Sequence, residues 1–114
     1  MGSGIREVYL MADKLVDLAK MLRSKNSGPF MITLDALFTL PETYFRVKTS
    51  GVINERTVRK LYNLDATEPI SIVFFDNALG IKITFNRKVS SGTALDRDVY
   101  GAQQHAPLMD LLIP

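Results

Sequence analysis

The stretch from Asp98 to Pro107 gathers the side chains of this sequence best suited to chemistry. His105, the one histidine, follows Gln103 and Gln104, and Tyr100 and Asp98 stand just before them. Histidine is the residue whose ordinary pKa lies nearest neutrality, so His105 is the candidate acid/base and Asp98 the candidate to orient it. Each glutamine amide carries two donors and an acceptor and does not titrate. Gln103, Gln104 and the Tyr100 hydroxyl are therefore suited to orienting a polar ligand, or to tying the segment onto its own domain. No helix or strand period runs through the stretch.

A second polar stretch, Ser24 to Pro29, has turn-forming composition and reads as a loop, because Pro29 pushes Gly28 out of the α region. Arg23 and Lys25 with main-chain amides would hold an anion there, and Ser24 and Asn26 are further ligand-binding candidates. One glycine does not make a phosphate-binding loop, and the plain alternative is a turn bonded by its own side chains. Asp35 lies nearby in sequence and would join this group only if its strand bent back.

Other constellations are thinner. Ser24 or Ser90 with His105 and Asp98 would compose a triad, but no Gly-x-Ser-x-Gly turn is present to expose the serine. His105 with Asp98, Asp96, Asp35 or Asp76 would be the donors for a metal. One histidine and no cysteine do not supply a structural zinc site, and no spacing matches an oxygen-donor site. No metal is assigned, and no cofactor is identified.

The elements that must position these residues follow from periodicity. Leu15, Leu18, Ala19 and Leu22 recur at helical spacing after Asp13, a candidate N-cap. Phe30 to Phe38 alternates and reads as a strand. Pro41 opens a short helix ending at Gly51, with Glu42 and Arg46 spaced to pair. Asn54 caps a second helix, with Val58, Leu61 and Tyr62 as its apolar stripe and Asn63 as its stop. Ile70 to Phe75, apolar on both sides, reads as a central strand covered above and below. A turn then joins it to Ile81–Phe85, with Lys82 and Thr84 facing outward. The polar run 87–97 is a long loop, and Leu108–Ile113 a last strand.

The chain has 114 residues, no cysteine and a net charge of +2. Length argues for one domain, with residues 1–12 as an N-terminal extension or tag remnant, or with a native start at Met11. Its charges are spread along the chain, which argues against nucleic-acid binding. No apolar run approaches the roughly 20 residues of a membrane span. Absence of cysteine fits a reducing compartment, so a cytoplasmic protein is expected. The fold class is α+β: a mostly antiparallel sheet with two short helices packed on it, ferredoxin-like in the broad sense.

Three motifs carry a resemblance. Arg23 to Phe30 followed by Thr33-Leu34-Asp35, Phe75 to Leu79 followed by Ile81 to Thr84, and Asp98 to Pro107 are similar to the signature of a small bacterial and fungal domain-of-unknown-function family. Members accompany AtuA-like (acyclic terpene utilisation) proteins, and they resemble the small ferredoxin-like domain of those proteins. Where that domain has Gly-Asp-Lys, this chain has Ser24-Lys25-Asn26. The resemblance implies a compact α+β sandwich, an AtuA-like partner, and a first strand rather than a helix near Leu15–Met21. An accessory or ligand-orienting subunit for breakdown of organic or acyl-CoA-type compounds is the expected role. The alternatives are a lyase or isomerase using His105, and a homo-oligomer whose function is its interface. Exposure of Ile81, Ile83 and Phe85 would favour the last.

Overall fold

The computed structural model describes residues 12–28, 30–86 and 106–114. Alternation dictates its centre. In β3 (Met31–Leu37) the even positions Ile32, Leu34 and Ala36 are buried, and in β5 (Gly80–Asn86) so are Ile81, Ile83 and Phe85. The register sets Ile32 beside Phe85, Leu34 beside Ile83 and Ala36 beside Ile81. β-Branched and aromatic side chains suit such a pleated, half-covered surface. Each large apolar side chain so buried contributes roughly 1.5–3 kcal/mol. On the flanks lie β2 (Met21–Gly28), paired with β3, and β4 (Ile70–Phe75), paired with β5. The sheet is antiparallel throughout, in the order β2-β3-β5-β4.

Two helices between β3 and β4 cover the apolar face. α2 (Pro41–Ser50) starts on proline and stops at Gly51, whose φ of 72° is left-handed. It buries Tyr44 and Val47. α3 (Glu55–Tyr62) starts where the Asn54 side-chain oxygen accepts from the Thr57 N–H at 2.9 Å, and stops at left-handed Asn63. Val58 is its buried residue. The Tyr62 ring lies 4.9 Å from that of Phe85, which fixes α3 on the inner face. Inner face and helices make one core that also takes in Leu15, Leu108 and Ile113.

The ends of the domain meet. β1 (Asp13–Lys14) pairs with β6 (Leu112–Ile113) in a separate two-stranded ladder. Between them in sequence come α1 (Leu15–Leu18) near the start and α4 (Ala106–Met109) near the end. Arg46 of α2 fastens both: it donates to Asp13 Oδ2 at 2.8 Å and to the carbonyls of Ile113 and Pro114 at 3.2 and 3.1 Å.

Several expectations are corrected. Ser24 to Gly28 is strand, not loop. Its residues alternate, the ladder to β3 captures their backbone, and a register shift between Asn26 and Gly28 absorbs the breaker residues. Asp13 is a strand residue bonded to Arg46 rather than a helix cap. The helix expected through Leu22 lasts one turn. Ala19 is extended, and the Lys20 N–H is drawn to the Leu37 carbonyl at 2.7 Å. β4 is an edge strand rather than a central one, because β5 stands between it and β3. Leu108 belongs to a helical turn, closed by the Leu111 N–H on its carbonyl at 3.1 Å, and only Leu112–Ile113 is strand. The fold is α+β as expected. It is ferredoxin-like only loosely, since two hairpins flank a helix pair where a ferredoxin-like chain repeats split βαβ units.

Candidate functional site

The face of the sheet turned away from the helices carries the odd positions of β2, β3 and β4 and the even positions of β5, and their rows define the outer surface. One row runs Arg23, Asp35, Lys82, Val73 across the four strands. Asp35 sits on a central strand and is only 7% exposed. A carboxylate this buried requires a partner, and Arg23 supplies it: its Nε donates to Asp35 Oδ2 at 3.1 Å. The next row sets Lys25 beside Thr33 and Thr84, and Ser27 shares a hydrogen bond with Thr33. Around the Arg23–Asp35 pair lies an open groove of about 200 Å³, lined by Lys25, Lys82, Leu37, Phe75 and the start of β5. Among the described residues, neither Lys25 nor Lys82 has an ion-pair partner. The groove therefore presents two unpaired ammonium groups beside one satisfied ion pair, with an aromatic wall. Its volume is below the roughly 300 Å³ at which drug-sized ligands are enclosed, so it suits an anionic head group rather than a whole large ligand.

Beyond the groove, at the β4–β5 turn, Tyr44, Lys48 and Asp76 form a second cluster. The Tyr44 hydroxyl donates to Asp76 Oδ1 at 2.6 Å, and Lys48 Nζ donates to both carboxylate oxygens at 2.8 and 3.0 Å. The Lys48 bond and then the Tyr44 bond hold the Asp76 pKa below its ordinary value. Burial, with the neighbouring Asp76 charge, pushes the Tyr44 pKa up to about 12. These bonds pin α2 to the hairpin turn. Tyr62 is raised too, by burial alone.

The sequence candidates divide. Arg23, Lys25 and Asp35 come together through strand register, with no bend in β3. Ser24 and Asn26 turn to the opposite face, beside Leu34 and Ile32, where both are half-buried and bonded. Asp98, Tyr100, Gln103, Gln104 and His105 lie outside the described residues, as do Ser90 and the 87–97 run. Asp76, weighed as a metal donor, is engaged by Tyr44 and Lys48. Lys82 and Phe75 were not foreseen as site residues. The outward alternation of Lys82 was the available signal, and Phe75 gave none once β4 was read as covered on both faces. Ile81, Ile83 and Phe85 are buried, not exposed.

Fold and groove together define a small α+β domain that keeps one sheet face for its core and offers a cationic, aromatic-walled hollow on the other. Over residues 15–112 the chain matches the family described as Domain of unknown function (DUF4387), and it belongs to that family. No curated protein and no solved structure matches it. Among the described residues, no helix is long and apolar enough to cross a membrane.

Proposed function

We propose that this protein is an accessory, ligand-orienting subunit. It holds the anionic head of a small organic molecule in the outer-face groove and works beside an AtuA-like protein in the catabolism of organic or acyl-CoA-type compounds. One observation carries the reading: Lys25 and Lys82 line one groove without ion-pair partners among the described residues, next to an Arg23 already committed to Asp35. Two cations around a hollow attract a carboxylate or phosphate by charge, and the Phe75 and Leu37 walls accommodate the carbon attached to it. The AtuA-like partner rests on the resemblance of the Arg23–Asp35, Phe75–Thr84 and Asp98–Pro107 segments.

Calorimetric titration with small carboxylates and acyl-CoA esters tests the site. Wild type is expected to bind at least one class, and a Lys25→Ala/Lys82→Ala double variant to lose that binding. Wild type that binds neither class, or a double variant that binds unchanged, overturns the ligand half. Co-purification from cells expressing both proteins tests the partner half, and recovery of each alone overturns it.

A further inference from the structure

The two edges of the four-stranded sheet are built differently. On the β2 edge stand Arg23 and Lys25, and its ladder is broken by a shift between Asn26 and Gly28. Charge and irregularity are the usual means by which an edge strand avoids pairing with another chain. The β4 edge has neither. Ile70–Phe75 is an unbroken, uncharged run of Ile, Ser, Ile, Val, Phe and Phe. Its sole ladder partner among the described residues is β5. Val73 and Phe75 remain 39% and 45% exposed. Beside the strand, Phe45 of α2 and Phe74 of β4 flank the Asp76-bound Lys48 ammonium, with Nζ 5.7 and 6.0 Å from their rings, so aromatic surface adjoins the β4 edge on the α2 side.

We infer that β4 pairs antiparallel with β4 of a second copy, joining two four-stranded sheets into one of eight strands about a two-fold axis. The strand is complementary to itself. Antiparallel pairing centred on Val73 sets Val73 against its own copy and Ser71 against Phe75 on the outer face. It sets Ile72 against Phe74 on the inner face, and no like charges oppose each other. The other joints are worse. β2 against β2 would bring Arg23 and Lys25 against the same charges of the copy, and β2 against β4 would be head-to-tail, without two-fold closure. A six-residue ladder by itself falls short of the roughly 1,200–2,000 Å² of a stable interface. The adjoining Phe45 and Phe74 rings would add to it, and covering them removes aromatic surface from water. Both ligand grooves would then open on one continuous face. The pairing does not depend on the ligand reading, because Val73 does not line the groove.

Sedimentation velocity combined with cysteine cross-linking tests this. Wild type is expected to sediment as a pair of chains, and Val73→Lys as a single folded chain by circular dichroism. Should Val73→Lys not fold, Ser71→Lys, at an exposed position of the same strand, is expected to give the single chain. The sequence has no cysteine, so Val73→Cys is expected to form a disulfide-linked pair under mild oxidation, and Lys25→Cys on the other edge is not. Wild type that stays single at its highest soluble concentration overturns the inference. So does a folded lysine variant that stays paired, or a Val73→Cys chain that links no better than Lys25→Cys.

Discussion

Among the described residues, Asp76 is where the response to acid should concentrate. Its carboxylate is held below the ordinary pKa by Lys48 and Tyr44. A group whose pKa is depressed on folding contributes stability above its unfolded value, and that contribution is lost as pH falls through the folded one. Lys48→Met is therefore expected to move the acid unfolding midpoint to higher pH, measured by circular dichroism against pH. Tyr44 acts at the other limit. Its pKa rises from 10.0 to about 12 on folding, so its contribution is complete below pH 10 and lost as pH climbs through about 12. Tyr44→Phe is expected to flatten the alkaline end of the same curve. In the groove, Arg23→Met would strip Asp35 of its donor. Leaving a buried acceptor unpaired costs about 1–3 kcal/mol, and the exposure of Arg23, 56% of its side chain, places the loss toward the lower end. Urea unfolding reads it directly. Arg23 and Asp35 could be singled out from the sequence because both are charged within a polar context. Their contact could not, because it depends on the register between two strands, one of which has turn-like composition.

Elements defined by local signals were legible, and elements defined by neighbours were not. α2 and α3 announce themselves through Pro41, Gly51, Asn54 and Asn63, each of which acts on backbone within a residue or two. Asn54→Ala removes the bond to the Thr57 N–H and is expected to cost about 1 kcal/mol. Gly51→Ala forces a Cβ into a left-handed turn, a loss of about 1–2 kcal/mol although nothing crowds the site. Leu34→Ala opens the centre of the inner face and is expected to cost about 2–5 kcal/mol. All three are read by chemical denaturation. β2 escaped, and so did the edge placement of β4, although Ile70–Phe75 itself was read as a strand, because both are positional. A polar octamer becomes a strand when β3 offers it a ladder, and an apolar hexamer sits at an edge when β5 takes the inner place.

At the scale of the whole molecule, the sheet divides its labour between faces: even positions of β2, β3 and β4 with odd positions of β5 face the core, and the opposite set carries the groove. The polar segment at Asp98–His105 falls outside the described residues, so whether it meets Arg23–Asp35 in one hollow is a matter for labelling. Cross-linking from His105→Cys to Lys82→Cys is expected if the two share the groove, and its absence places them apart. The clasp by Arg46 has a mechanical consequence. Asp13 and Ile113 are neighbours in a two-residue antiparallel ladder, so tension applied to both ends would open it like a zip, one bond at a time. Force spectroscopy should then show an early, low-load release of the terminal segments in wild type, and a still lower one in Arg46→Ala, before the four-stranded sheet gives way.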